Sequence, residues 1–387
     1  MRRWMIAPVF FAAAFGMTTW TEMPTAKAQP KPVPPVVETI RTADGMKLSG
    51  LFHETKNPKP GNSSGTSPVV ILLYAPGVDH SMAKGDWEAL ANTLNENGFN
   101  VMRFDWRGHG KSTDITDPLG NMMNPGFWNN PYSGTWNSKF IKGSNKKPVK
   151  NDFKVNELSS PNYYPTYVQD LAAVRVHLDQ KNDQKACNTS SIYIIGAEEA
   201  APLALLWMTA EWNRPGIHPL FGNGLMYTVV PTPGVQNAPE GGKDIAGAVW
   251  LSGSRPPNGV TAINDRLMQT WVNKTLDLRL SNPMLFLYGD MDTERKNGAM
   301  YFFKDVLVAG GDKNVGVKAL EQTFVREVKG ANKLRGVALL GQNPTLKTED
   351  TIVAYLKQLE KERGNVVAKN RNFVTPYYIN VAAFGVQ

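Results

Sequence analysis

The sequence predicts an α/β protein, a mostly parallel sheet with helices on both faces. Two observations predict it. Residues 69–74 (VVILLY) form an unbroken apolar run of strand length, the pattern of a strand buried on both sides. Helical spacing over 87–95, a helix stop at Asn97-Gly98 and a second strand at 100–105 follow, and a parallel sheet needs connections of this kind.

The other elements follow in chain order. Residues 36–41 and 47–53 flank an Asp44-Gly45 turn and read as an antiparallel hairpin. Residues 57–67, rich in Gly, Ser, Pro and Asn, read as a loop. The alternation then breaks. Residues 113–165 show no sustained period, carry the rings of Phe127, Trp128, Trp136 and Phe140, and hold a cluster of lysines from Lys139 to Lys154. An irregular stretch of this length is often a lid or binding loop; a surface excursion packed by its own rings is the equal alternative.

Order resumes with an amphipathic helix over 167–180, with Leu171, Val174 and Leu178 on one face. A buried strand at 192–195, a helix over 200–212 and a Gly/Pro-rich loop over 215–243 come next. Strands at 245–251, 284–288 and 323–328 alternate with helices over 263–272, 301–308 and 349–360. No internal repeat is present, and the tail 363–387 has no assigned structure.

Arg2 and Arg3 precede an apolar stretch, and Ala26-Lys27-Ala28 offers small residues where a signal peptidase reads. Residues 1–28 are therefore expected to be a signal peptide, 29–35 a Pro-rich linker, and 36–362 the folded domain. The expected location is outside the cytoplasm of a bacterium: periplasm, extracellular space or cell envelope. No later segment is apolar and long enough to span a bilayer.

The 387 residues are 42% hydrophobic and 20% charged, an ordinary globular composition. The net charge of +8 comes with interleaved acidic residues and no recognition motif, so no nucleic-acid partner is expected. The single cysteine, Cys187, rules out an internal disulfide. No metal-ligand spacing and no cofactor motif stands out, so neither is expected; the partner is an unidentified small molecule or protein.

Four segments together resemble the α/β-hydrolase superfamily, in its lipase-like and serine-aminopeptidase-like branch. VVILLYAPG at 69–77 is similar to the strand and loop leading to the oxyanion hole. FDWRGHGKS at 104–112 resembles the D-x-R-G-x-G-x-S loop. IYIIGAEEA at 192–200 occupies the nucleophile elbow, and MLFLYGDMD at 284–292 resembles the loop that supplies the triad acid. The resemblance implies a mostly parallel eight-stranded sheet, with 113–165 as an insertion.

It also places the site residues. An elbow lifts one side chain above the sheet at a helix N-terminus, and here that position is Glu198 rather than Ser, Cys or Asp. The acid position is Asp292. The base follows the acid in the family, but the chain has no histidine beyond His218, and the corresponding loop offers Asn332 or Lys333. The oxyanion positions are Glu199 and Pro76, and proline has no N–H to donate. His80 and Tyr74 are candidates to face the pocket.

Three functions compete. A binding or structural protein without hydrolase chemistry is favoured by the residues at the elbow, base and oxyanion positions. The alternative is a hydrolase using Glu198 as carboxylate nucleophile or base on an ester, epoxide or halide, with His80 supplying the imidazole. The third is a hard-cation site built from Glu198, Glu199 and Asp292. In the first case a basic residue, Lys333 or else His80, is expected to pair with Glu198.

Overall fold

The computed structural model describes residues 34–58, 64–120, 126–130, 133–213, 227–229, 240–261, 263–308, 321–341, 345–371 and 377–379. The expected signal peptide and nearly all of the linker lie outside them, as does most of the 215–243 loop.

Ten strands are described. They are β1 (Val36–Arg41), β2 (Lys47–His53), β3 (Pro68–Leu73), β4 (Asn100–Phe104), β5 (Asn188–Ala197), β6 (Tyr227–Val229), β7 (Ile245–Leu251), β8 (Met284–Gly289), β9 (Phe324–Val328) and β10 (Tyr377–Ile379). Eight form one sheet in the order β1-β2-β4-β3-β5-β7-β8-β9. β1 and β2 are antiparallel, as are β2 and β4, and every other pair in it is parallel. β3 is buried along its whole length, as an uninterrupted apolar run requires, and β4 is equally buried although it carries Asn100 and Arg103. β6 and β10 pair separately.

The helices are α1 (Trp87–Glu96), α2 (Gly134–Phe140), α3 (Val168–Asp183), α4 (Ala200–Asn213), α5 (Glu240–Lys243), α6 (Asp265–Lys274), α7 (Leu276–Ser281), α8 (Thr293–Met300) and α9 (Thr348–Arg363). A wider π-helix, Tyr301–Val308, continues α8. Two expectations need correction. β5 begins four residues early, at Asn188, because Thr189 and Asn188 bury their polar groups in hydrogen bonds with Asp179 and Val366 rather than in an apolar run. α3 is not amphipathic in place. Its polar Gln169, Asp170, Arg175 and Asp179 are as buried as its leucines, since other segments cover that face.

The FDWRGHGKS turn shows why these residue types are needed. Asp105 accepts from Met82 N–H (2.8 Å) and Lys111 N–H (3.0 Å), while Ser112 bridges Asp105 C=O and Ser49 N–H. Gly110 has φ +48°, and a Cβ there would stand 2.1 Å from the Asp105 carboxylate. Arg107 is fully buried between Asp44 (2.8 Å) and Asp170 (2.7 Å).

In the insertion, Phe127, Trp128 and Trp136 are all buried, and α2 supplies one regular element where none was expected. Seven residues with Gly134 at their head are too short a run for periodicity to reveal. A ladder of rings carries the insertion onto the sheet. Phe127 stacks on Phe153 (5.7 Å), Phe153 meets Tyr163 (6.1 Å), Tyr163 meets Tyr167 (5.8 Å), and Tyr167 reaches Trp106 just past β4 (5.8 Å).

Candidate functional site

β5 ends at Ala197 and α4 begins at Ala200, leaving Glu198 on a sharp turn with φ +48°, a conformation uncommon for a residue with a side chain. The backbone holds it there. Its N–H donates to Leu251 C=O (2.9 Å), and its C=O accepts from Ala201 N–H (3.1 Å) and Ser254 N–H (3.3 Å). Gly196 lies against Trp250, whose ring would stand 3.0 Å from an added Cβ. A tight strand-to-helix turn on a central parallel strand, in a sheet with only its second strand antiparallel to its neighbours, decides the architecture. The fold is that of the α/β-hydrolases.

Solved structures similar to the chain include an esterase of Pyrococcus furiosus, 15% identical over 84% of this chain and 91% of that one, with a TM-score of 0.43. A thermostable carboxylesterase cloned from a metagenomic library is 12% identical over 86% and 90%, with a TM-score of 0.44. A serine hydrolase without a lid from Xanthomonas campestris is 10% identical over 87% and 98%, with a TM-score of 0.40. No family model and no curated protein matches the sequence.

The α/β-hydrolase loops bring Glu198, Glu199 and Asp292 to one edge of the sheet, where sites of parallel sheets gather. The pairing differs from the expectation. Glu198 Oε2 meets Arg295 Nη2 at 3.0 Å, and Glu199 lies 3.8 Å from the same guanidinium. Burial, then Glu199, pushes the Glu198 carboxyl above its ordinary value although Arg295 opposes. Gly336, with φ +52°, lets the last loop pass close: a Cβ would stand 2.5 Å from Glu198 Oε1. Lys333 and His80 do not pair with Glu198.

Arg295 is reached through Asp292, which caps α8 by accepting from Arg295 N–H at 3.1 Å. The acid therefore sets the helix whose third residue neutralises the elbow. An arginine three residues after Asp292 was a signal available in the sequence. Asp292 itself is buried and grips Arg335, through Nε and through Nη2 at 2.9 Å, and Arg335 also reaches Glu294 at 2.8 Å. Burial would raise the Asp292 carboxyl, but the hydrogen bonds from Arg335 and Arg295 N–H outweigh it and hold it below its ordinary value.

Neither Asn332 nor Lys333 faces Asp292. Asn332 is exposed, turns with φ +53°, and donates its N–H to Asp290 at 2.6 Å, which carries Lys333 outward. Arg335, rather than Asn332 or Lys333, is therefore the residue of this loop that pairs with Asp292.

The loop after β3, where oxyanion donors were expected, is also committed. Pro76 has no N–H, and the next donor, Gly77 N–H, is given to His109 Nε2 at 2.9 Å. His109 Nδ1 lies 2.9 Å from Arg107 C=O, so the ring is neutral with its proton on Nδ1. Burial lowers it to about 4. Tyr74, expected at the pocket, is buried beneath it instead, its hydroxyl accepting from Trp106 N–H (3.0 Å). His80 is exposed, with Nδ1 2.6 Å from Ala75 C=O. Glu199 C=O accepts the Tyr164 hydroxyl.

Two clefts open at this edge. One, of about 410 Å³, is apolar and runs between Pro76–Val78, the end of the insertion (Leu158, Tyr163, Tyr164) and Val260. The other, of about 430 Å³, is polar and includes Glu199, Ser254, Arg255, Glu294 and Arg295. They meet at Pro257. The three carboxylates do not converge: Glu198 and Glu199 share Arg295, whereas Asp292 faces Arg335. Among the described residues no acidic, histidine or cysteine cluster has the form of a metal site.

Proposed function

We propose that this chain is an exported α/β-hydrolase-fold protein that binds a ligand at the carboxyl edge of its sheet without the hydrolase reaction. The observation carrying this reading is the ion pair of Glu198 with Arg295 at the elbow. A nucleophile must present a free pair of electrons to the substrate and have a base within reach. Glu198 instead has a guanidinium on it, and the acid that would orient a base holds Arg335. Loss of an oxyanion donor costs roughly 3–4 kcal/mol of transition-state stabilisation, and the loop that would give one spends Gly77 N–H on His109. The two open clefts remain as the place for a ligand.

The competing reading keeps Glu198 as a working carboxylate, and its raised pKa is the observation in its favour. A panel of esters, epoxides and haloalkanes separates the two. The binding reading expects no turnover above buffer for the wild type. Saturable turnover that disappears in Glu198→Gln, with the fold retained, would establish the enzyme instead.

A further inference from the structure

The insertion carries a feature that the cleft does not use. Between Lys139 and Lys154 stand six lysines and one carboxylate, Asp152, a surplus of five in a chain whose net charge is +8. Among the described residues Lys150 forms an ion pair with Glu157 at 2.6 Å, and Lys154 lies near the same carboxylate; Lys139, Lys142, Lys146 and Lys147 are exposed and have no acidic partner there. An ordinary solvated surface mixes both signs, and four like charges without an acidic partner repel one another.

The segment is built to hold these charges out. Its base is closed by Lys142 N–H on Glu157 C=O (2.9 Å) and Ser159 N–H on Phe140 C=O (2.8 Å). Its return limb is tied down by Ile115 N–H on Asn151 C=O (2.8 Å) and by the buried ring of Phe153. Residues 143–150 are left as a tip bearing Lys146, Lys147 and the exposed Val149.

We infer that this lysine tip docks the protein on an anionic lipid bilayer. Charge complementarity gives the sign of the partner, and two details favour a bilayer over a nucleic acid. The cations are lysines, compact point charges without the planar fork that reads phosphates and bases in pairs. The segment's rings, Trp136, Phe140 and Phe153, are buried and unavailable to stack on bases, whereas Val149 offers an apolar contact among the lysines. Val155 and Leu158, just beyond the tip, line the apolar cleft, so docking would set the mouth of that cleft near the lipid surface. The inference does not depend on whether the cleft is catalytic.

Co-sedimentation with vesicles of phosphatidylglycerol and phosphatidylcholine, against phosphatidylcholine alone, tests it. Binding is expected only with the anionic lipid and should weaken as salt rises. With each lysine near an anionic surface contributing about 1 kcal/mol, Lys142→Gln/Lys146→Gln/Lys147→Gln should lower the partition coefficient by about 100-fold. Lys296→Gln/Lys329→Gln/Lys361→Gln, equal in charge and placed elsewhere, should change it little. Circular dichroism confirms that both variants fold. Val149→Ser should weaken vesicle binding but leave binding to a mixed-sequence DNA duplex unchanged. Equal effects of the two triple variants would reduce the result to net charge and overturn the proposal. Tighter binding to the duplex than to the vesicles, lost with the same three lysines, would overturn it in favour of a nucleic acid.

Discussion

Asp292 does two jobs at once: its carboxylate caps α8 and neutralises Arg335. Asp292→Asn keeps the shape but removes the charge, and losing a charged hydrogen-bonded partner costs roughly 1.5–3 kcal/mol. Arg335 is partly exposed, which argues for the lower half of that range. The pH dependence has a definite sign. A carboxyl held below its ordinary value stabilises the fold above that value, 3.8, and loses this contribution as the pH falls through the folded-state value. Urea unfolding at pH 7 should show the variant destabilised by about 2 kcal/mol, with the gap closing below pH 3.8. An unchanged gap at low pH would mean that the loss comes from the amide introduced at 292 and not from removal of the carboxylate's charge. At this scale Glu198 and Asp292 were legible as turn residues, each just past a readable strand. Their partners were not, because an ion pair joins residues that only the fold brings together: Arg295 lies 97 residues from Glu198.

The FDWRGHGKS turn is the element where sequence and structure agree most closely, since Asp105, Arg107, His109, Gly110 and Ser112 each have a task that few others could perform. Its centre is Arg107, with side-chain bonds to both Asp44 and Asp170, and Asp44 also held by Ser133 of the insertion (2.9 Å). The turn thus ties the first hairpin, the insertion and α3 to one guanidinium. Removing one half of a fully buried pair costs about 3–5 kcal/mol because the remaining charge is stranded. Arg107→Met strands two carboxylates, so it should destabilise by at least that amount. Arg107→Met/Asp44→Asn/Asp170→Asn should recover part of the loss, since it leaves no uncompensated charge. If the triple variant is no more stable than the single one in chemical denaturation, the packing of Arg107 rather than its charge holds these elements together. The neighbouring insertion was illegible for the opposite reason. Its order comes from rings and short turns spread over many residues, and no period records that kind of packing.

Over the whole molecule, the parallel sheet was readable because long apolar runs and helical spacing are local signals. The tail was not, because residues 365–371 mix polar and apolar residues without a period and owe their place to distant partners. Asn188 and Asn182 donate to Val366 and Lys369 carbonyls (both 2.7 Å), and Arg371 N–H donates to Asp183 (2.7 Å). Further on, Tyr377 meets Glu211 and Ile379 pairs with Gln169, closing over α3 and α4.

The Arg371 side chain brings a needed charge. Arg175, fully buried, faces Asp179 (2.9 Å), Asp244 (2.6 Å) and Glu211 (3.9 Å), three carboxylates for one guanidinium. Arg371 supplies a second cation, 2.8 Å from Asp244 and 3.5 Å from Asp179. Burial would raise the Asp179 carboxyl, yet Arg175 and Arg371 together hold it below its ordinary value. Arg371→Gln keeps most of the side-chain length and removes the charge. It should destabilise by about 3 kcal/mol at pH 7, the low end for breaking a buried ionic contact, because Arg175 remains. A depressed carboxylate contributes stability above its ordinary 3.8 and loses it on acidification, so the penalty should shrink as the pH falls below that value. Deleting residues 365–387 should cost more, since the backbone bonds to Asn182, Asn188 and Asp183 go with the charge. A deletion no more harmful than Arg371→Gln in a pH series of thermal melts would show that the guanidinium alone holds the tail to the domain.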